Sequence, residues 1–192
     1  MRKLKLQLQV SIDGFVSGVN GEMDWMVWNW DDVIKKYTGD LTESVDTVVM
    51  GRVLAQGMSE YWPAVAQNPE SSKEDAYMAE KMNSLSKVVF SKTITSLDWT
   101  NVIISDDDAS DVIAALKRKE GKDIIMYGGA GIVSSFIKLD LIDEYHFYVN
   151  PSILGRGMPV FQEVSERLKL NLIKTTPGES GIVILHYEPA RS

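Results

Sequence analysis

The chain has 192 residues, of which 44% are hydrophobic and 24% are charged. This composition is typical of a globular protein, so we predict one α/β domain over residues 1–192. Its 20 Lys and Arg against 27 Asp and Glu give a formal charge of -7, so we expect neither nucleic acid nor an anionic membrane as a partner. The absence of cysteine excludes disulfides and thiolate chemistry. A cytoplasmic location is expected, because the first residues lack the apolar run of a signal peptide.

Hydrophobic residues alternate with polar ones from Leu4 to Val10, which predicts a first strand with one buried face. A glycine-containing loop follows, and a helix is expected from about Asp31 to Tyr37 or slightly beyond. Short apolar runs predict further buried strands. These runs are Asp46–Met50, Lys87–Phe90, Val102–Ile104, Asp123–Tyr127 and Glu144–Val149.

Helices are expected between most of these strands. One or two helical turns follow Gly51, whereas the segment Pro63–Asp75 contains two prolines and small polar residues and is predicted to be an exposed loop. A short helix with Met78, Met82 and Leu85 on one face comes next. Aspartates at 106–111 and basic residues at 117–119 mark the two ends of another helix.

The C-terminal part of the chain predicts a glycine turn with a helix and then a hairpin. The turn Gly128–Gly131 opens a helix that continues to Leu139, and the runs Leu168–Thr175 and Ile182–Tyr187 flank Pro177–Gly181 as an antiparallel hairpin. Strands that alternate with helices indicate a mainly parallel sheet with helices on both faces and an antiparallel end.

Three predicted strand ends carry residues that suit an anionic ligand, and the carboxyl ends of parallel strands share one edge of a sheet. The segments are Gly51-Arg52, Ser91-Lys92-Thr93 and Gly128-Gly129-Ala130-Gly131. The two glycine segments open helices, whose first backbone N–H groups can hold a phosphate. The Ser-Lys-Thr segment offers two hydroxyls and a cation, which suits a phosphomonoester such as the 2′-phosphate of NADP. The structural alternative is that each segment is only a turn or a polar strand end.

Several other side chains are candidates for the reaction or the substrate. Asp13 is a candidate catalytic group, or the cap of its own turn. Trp25 belongs to a tryptophan cluster that forms either an aromatic wall or part of the core. Asp31 is a candidate substrate ligand or a helix N-terminal residue, and Arg156 either binds a substrate phosphate or is an exposed loop cation.

Several enzyme classes lack their motifs in this sequence. It contains neither a P-loop nor a nucleophile elbow, so P-loop NTPases and α/β-hydrolases are excluded. His146 and His186 lie in predicted strands without the spacing of metal ligands, and we expect no metal site. Hydride transfer fits what remains, because a nicotinamide cofactor carries the chemistry and the protein supplies orientation.

Five segments in chain order resemble the dihydrofolate-reductase-like family that is related to the reductase domain of bacterial riboflavin biosynthesis. The segments are Ser11–Val16, Asp46–Arg52, Tyr61–Pro63, Met126–Gly131 and Pro151–Gly157. The resemblance implies a dihydrofolate-reductase-like α/β/α fold with NADPH across the strand ends. It places Gly51, Arg52 and the run from Gly128 to Ile132 at the pyrophosphate, and Ser91, Lys92 and Thr93 at the adenosine 2′-phosphate. It also implies a cis peptide between Gly128 and Gly129.

The sequence departs from dihydrofolate reductase itself near the expected substrate. Met23-Asp24-Trp25 stands where that enzyme has a Pro-Trp pair. The residue that corresponds to the enzyme's substrate-binding carboxylate would be Asp31, Asp32 or neither. We therefore expect an NADPH-dependent reductase of a small heterocycle, of the riboflavin-biosynthesis type. The alternatives are dihydrofolate reduction and a non-catalytic nucleotide-binding or scaffold protein. The family resemblance and the apolar C-terminal strands make a homodimer the expected assembly.

Overall fold

Alternating apolar residues place the first strand, β1 (Leu4–Val10), in the middle of a sheet, with Leu4 and Leu6 fully buried. The computed structural model describes residues 1–190. The last two residues of the domain predicted over 1–192 lie outside the described residues, and the division into one domain stays a prediction.

The remaining strands and the helices alternate along most of the chain. The strands are β2 (Phe15–Ser17), β3 (Val45–Gly51), β4 (Ser86–Phe90), β5 (Val102–Ser105), β6 (Asp123–Tyr127), β7 (Glu144–Val149), β8 (Met158–Pro159), β9 (Leu170–Pro177) and β10 (Val183–Pro189). The helices are α1 (Asp32–Glu43), α2 (Arg52–Gln67), α3 (Lys73–Ser84), α4 (Ala109–Arg118) and α5 (Ala130–Lys138).

The main sheet of residues 1–190 has eight strands in the order β5-β4-β3-β6-β1-β7-β10-β9. Neighbouring strands from β5 to β7 are parallel, whereas β10 runs antiparallel to both β7 and β9. This confirms the mainly parallel sheet with an antiparallel hairpin at its end. The carboxyl ends of β4, β3, β6 and β1 consequently lie side by side at one edge.

Two helix layers cover the sheet, because its strands are apolar on both faces. On one face, Leu4, Leu6 and Leu8 pack in one cluster with Ile113 of α4 and Phe136 of α5. On the other face, strand residues form a second cluster with side chains of α1, α2 and α3, namely Leu41, Ala55 and Met82. The three-layer α/β/α architecture is confirmed.

The loop predicted at Pro63–Asp75 is wrong at both ends. Helix α2 continues through Pro63 to Gln67, and α3 already begins at Lys73. A proline inside a helix loses one hydrogen bond and costs about 3 kcal/mol. Packing offsets this cost, because Leu54, Met58 and Trp62 recur every fourth residue and pack on the second core cluster. Asn83 of α3 also donates to the Trp62 carbonyl, at 3.3 Å.

A small second sheet was not predicted. Strand β2 pairs antiparallel with β8 through Phe15 and Pro159 and through Ser17 and Met158. Strands of two or three residues are too short to show an alternating pattern. This sheet joins the loop after β1 to the segment that follows β7. No helix of the described residues has both the length and the apolar character needed to cross a membrane.

Helix α1 begins at a carboxylate that also holds the C-terminal hairpin. The Asp31 side chain accepts from Val33 N at 2.9 Å and from Ile34 N at 3.1 Å, which caps the helix. It also accepts from the backbone N and the hydroxyl of Ser180, at 2.9 and 2.7 Å. Asp31 therefore fixes α1 against the turn between β9 and β10.

Replacing Asp31 with Ala should lower the urea midpoint of unfolding, because the first turn of α1 and the Ser180 turn both lose their acceptor. The matched control is Asp32→Ala, since Asp32 is exposed in the same first turn but does not cap it. We expect Asp32→Ala to have the smaller effect. Equal midpoints for the Asp31 variant and the wild type would contradict this role.

The contribution of Asp31 should also depend on pH. Hydrogen bonds from Ser180, followed by those from Ile34 and Val33, lower its pKa from 3.8 to about 2. A depressed pKa in the folded state means that the stabilisation is present above pH 3.8 and is lost as the pH falls through about 2. The stability difference between the wild type and Asp31→Asn should therefore shrink across this range. Acid unfolding curves of the two proteins measure it.

Candidate functional site

The starts of two helices meet where β3 and β6 end. Helix α2 follows β3 directly, with Gly51 at its cap position, and α5 starts after β6, with Gly129 at its cap position. A Cβ on Gly51 would lie 3.3 Å from Cγ2 of Ile132 in the first turn of α5. Since β3 and β6 are neighbours, the positive ends of both helix dipoles point to the same place.

These two helix starts lack the caps that the others have. Side chains of Asp31, Ser72 and Asp108 cap α1, α3 and α4. The glycines before α2 and α5 make no side-chain cap, so the first N–H groups of both helices remain available to an outside acceptor. Such an arrangement binds phosphate and other anions.

The glycines of the 128–131 turn differ in what surrounds them. A Cβ on Gly128 would overlap the Leu8 side chain, so this residue must be small for the turn to pack on β1. A Cβ on Gly129 or Gly131 would meet nothing within 4 Å. The space in front of α5 is therefore open, and a ligand can approach the backbone there.

The cis peptide expected between Gly128 and Gly129 is wrong for this structure, whose described peptide bonds are all trans. For residues other than proline the trans form is favoured by roughly 2.5–4 kcal/mol. Gly129 has φ -169° and ψ 138°, an extended backbone from which α5 begins directly.

The segment Ser91–Thr93 follows β4 at the same edge. Ser91 Oγ accepts from Thr93 N at 3.1 Å and from Ile94 N at 3.2 Å, so it shapes the turn. The side chains of Lys92 and Thr93 are exposed. Charge at this end of the sheet is mixed, because aspartates follow the neighbouring β5 at residues 106–108.

Arg52 lies in the first turn of α2. Its Nη1 donates to Gln56 Oε1 at 3.0 Å, and its side chain is partly buried. One of the five guanidinium N–H groups satisfies this bond, which leaves others for a ligand at the helix start. The predicted cofactor residues 51–52, 91–93 and 128–132 are therefore brought together along the ends of β4, β3 and β6.

Asp13 holds a loop in this structure. Its carboxylate accepts from the Ser11 hydroxyl at 2.7 Å, from Leu154 N at 3.1 Å and from Gly155 N at 2.7 Å. The bond from Ser11, and then those from the two backbone groups, lower the pKa of this exposed carboxyl. Asp13 is thus an ionised anchor for residues 151–157, and Arg156 is exposed in the loop that it holds.

Asn150 is a structural residue of this region that the sequence analysis missed. It is fully buried, its Oδ1 accepts from Val27 N at 2.8 Å, and its Nδ2 donates to Gln9 Oε1 at 3.1 Å. It therefore ties the loop before α1 to the ends of β1 and β7. Ser152 adds a bond to the carbonyl of Trp25, at 3.2 Å. An Asn-Pro pair directly after an apolar strand was the available signal.

The predicted substrate residues lie in this neighbouring region rather than at the glycine turns. Trp25 is partly exposed, and its indole N–H donates to the carbonyl of Glu22 at 3.1 Å. Asp31 caps α1. The loop that carries Asp13 and Trp25 follows β1, which lies beside β6, and the loop that carries Arg156 follows β7, the other neighbour of β1.

Comparison with known protein families assigns the chain to a family. A model of the family described as RibD C-terminal domain matches residues 2–184. The chain belongs to this family. The uncharacterized protein YyaP of Bacillus subtilis (strain 168) is 35% identical over 186 residues, which cover 97% of this chain and 94% of that protein. YwjB of the same organism, also uncharacterized, is 30% identical over 97% of both chains.

Solved structures of family members and of dihydrofolate reductase share the fold. A candidate riboflavin biosynthesis protein from Shewanella sp. PV-4 is 26% identical, with a TM-score of 0.73 and full coverage of both chains. A Thermotoga maritima deaminase/5-amino-6-(5-phosphoribosylamino)uracil reductase has a TM-score of 0.68 and 15% identity, and the match covers 98% of this chain and 57% of that one. Enterococcus faecalis dihydrofolate reductase complexed with NADP(H) has a TM-score of 0.63 and 15% identity, and the match covers 98% of this chain and 97% of that one. The dihydrofolate-reductase-like fold is confirmed.

Two substitutions in the glycine turn should differ in their effect on stability. Gly128→Ala should lower the free energy of unfolding by roughly 1–3 kcal/mol, because its Cβ overlaps Leu8. Gly131→Ala, in open space inside α5, should leave it unchanged or raise it by about 0.4–1 kcal/mol. Urea unfolding of both variants checks this, and equal effects would contradict the described packing.

Proposed function

We propose that this protein is an NADPH-dependent reductase of a small heterocyclic substrate. The main support is that the uncapped starts of α2 and α5 meet at the carboxyl ends of two neighbouring parallel strands, β3 and β6. Membership of a family named for the C-terminal domain of a riboflavin-biosynthesis protein supports an oxidoreductase.

The residues present fit a dinucleotide phosphate. In the proposed complex, the first N–H groups of α2 and α5 and the Arg52 guanidinium hold the pyrophosphate, where open space lies in front of Gly129 and Gly131. Lys92 and the hydroxyls of Ser91 and Thr93 take the 2′-phosphate. The bound cofactor supplies a hydride, and the protein orients it towards the substrate and excludes water.

The substrate then lies beside the glycine turn, between the loop before α1 and the loop of residues 151–157. Trp25 offers a flat aromatic surface, Arg156 offers a cation for a substrate phosphate, and Asp31 and Asp13 are the candidate carboxylates. The hydrogen bonds of Asp13 to residues 11, 154 and 155 support a positioning role in the loop. An aminopyrimidine such as 5-amino-6-(5-phosphoribosylamino)uracil, named for the Thermotoga maritima protein, is the proposed substrate class.

We also propose that the protein works as a cytoplasmic homodimer. Strand β9 forms one edge of the main sheet, and its Leu172 and Ile173 are about half exposed. An exposed apolar edge strand is a common site of pairing with a second chain. The sequence contains no cysteine, which suits a reducing compartment.

Gly129→Val tests the cofactor site without disturbing the fold. The backbone at residue 129 is extended and nothing lies within 4 Å of a Cβ there, so the variant should remain folded. Its side chain would fill the space in front of α5, and NADPH affinity should fall by more than about tenfold, which is about 1.4 kcal/mol.

Thermal unfolding with increasing NADPH measures this effect, because a ligand that binds only the folded state raises the melting temperature. The control is Gly39→Val in α1, which also has open space around it. It should keep the NADPH-dependent shift of the wild type. An unchanged shift in Gly129→Val would refute the assignment. The absence of any shift in the wild type would favour a scaffold protein.

Lys92→Glu tests the 2′-phosphate contact. The reversed charge should weaken NADPH binding by about tenfold or more and leave NADH nearly unchanged, because only NADPH carries the additional phosphate. Lys73→Glu is the control. Lys73 is exposed and lies near residues 100 and 101, just before β5, and therefore away from the carboxyl ends of the strands. Equal losses of both cofactors in the Lys92 variant would exclude the proposed contact.

A further inference from the structure

A polar cluster lies on the α1 side of the sheet, at the edge opposite to the glycine turns. Glu144 begins β7, and His146 follows two residues later on the same face. His146 pairs directly with His186 on the antiparallel strand β10. The two imidazole rings are stacked, with centroids 4.3 Å apart and an angle of 22° between their planes.

Three ligand atoms of this cluster converge. Glu144 Oε2 lies 3.3 Å from His146 Nε2 and 3.7 Å from His186 Nε2, and all three atoms lie within 4.8 Å of one another. With metal–ligand bonds of about 2.0–2.2 Å, two ligands of a tetrahedral site are roughly 3.3–3.6 Å apart. Because the nitrogen lone pairs lie in the ring planes, an ion that binds all three atoms requires one imidazole to rotate out of the stacked arrangement.

The His186 nitrogen needs a partner. Its Nε2 is buried and makes no hydrogen bond within residues 1–190, and a buried polar atom without a partner costs about 1–3 kcal/mol. A metal ion would give this nitrogen a partner, because imidazole binds metals through its unprotonated nitrogen.

Neighbouring side chains already orient the other two ligands. Tyr37 Oη lies 2.7 Å from His146 Nδ1, and a hydroxyl can donate to or accept from that nitrogen as the tautomer requires. Lys3 Nζ donates to Glu144 Oε1 at 2.7 Å, which leaves Oε2 facing the histidines. Such contacts behind the ligands are typical of metal sites.

The charges around the cluster are nearly balanced. The ammonium groups of Lys3 and Lys5 lie beside Glu144, at 2.7 and 3.9 Å. Each also has a second carboxylate partner, Glu188 at 3.0 Å and Asp123 at 2.9 Å. Lys174 lies opposite His186 on β9 and adds a third cation, so the three carboxylates and three lysines balance and leave no net positive charge to repel an incoming metal ion.

We propose that Glu144, His146 and His186 form a binding site for a divalent transition-metal ion of the Zn²⁺ class. Two imidazoles and one carboxylate suit this class rather than Mg²⁺ or Ca²⁺, which prefer oxygen ligands. A bound ion would join β7 to β10 and stabilise the attachment of the C-terminal hairpin. The site does not depend on the proposed reductase function, because it lies at the amino end of β7.

The test uses protein without a polyhistidine tag, titrated with ZnCl₂ in competition with a chromophoric chelator. The chain contains two histidines and no cysteine, so binding through histidine reports on this cluster. We expect one Zn²⁺ per chain. His186→Gln should weaken binding by more than about tenfold. The control Asp40→Asn removes an exposed carboxylate that pairs with Lys36 outside the cluster, and it should bind Zn²⁺ within a factor of two to three of the wild type.

A spectroscopic measurement on the wild type keeps the test independent of the variants' folding. Imidazole ¹⁵N resonances of selectively labelled protein should show that Zn²⁺ binds at Nε2 of both histidines, while Nδ1 of His146 carries the proton. No Zn²⁺ binding by the wild type would overturn the proposal, as would equal affinity of His186→Gln or unchanged imidazole resonances in the presence of bound Zn²⁺.

Discussion

The parallel run of strands from β5 to β7 is the constraint on which the candidate site depends. Because these strands point the same way, their carboxyl ends share one edge, and segments far apart in the chain become neighbours there. Burial on both faces maintains this arrangement, with Leu4 and Leu6 packing against one helix layer and Val48 and Met50 against the other.

The helices differ in whether a side chain caps their first turn. Three helices satisfy their first N–H groups with Asp or Ser side chains, whereas α2 and α5 begin after glycines. A cap typically contributes about 1 kcal/mol to stability, and the glycines give up this contribution at two helix starts that touch. A ligand-binding role would explain why both helices lack this stabilising cap at the place where their first turns meet.

Patterns that are local in sequence predicted much of the fold. The alternation from Leu4 to Val10 and the aspartates before α4 located those elements, and the helix beginning near Asp31 and the hairpin were also expected. The exception is Pro63, because packing of Leu54, Met58 and Trp62 overrides the helix-breaking tendency of proline. The sequence could not reveal β2 and β8, which are too short to show a period.

The sequence indicates which residues lie at the candidate site, but it indicates only part of what each of them does there. Glycine, lysine and hydroxyl residues at strand ends are visible in the sequence, yet the bonds of Asp13 to residues 154 and 155 depend on a loop far along the chain. The same holds for His146 and His186, whose proximity follows from the register of β7 and β10. Spacing along the chain carries no information about such cross-strand pairs.

We propose that the helix starts of α2 and α5 together bind the phosphates of a dinucleotide. Backbone ¹H–¹⁵N spectra recorded with and without NADPH report on the individual N–H groups that would make these contacts. We expect the largest shifts at Arg52 and Val53 and at residues 129–132, with smaller ones at residues 91–93. The phosphates do not bind at these helix starts if NADPH shifts only resonances of other parts of the chain, or none at saturation.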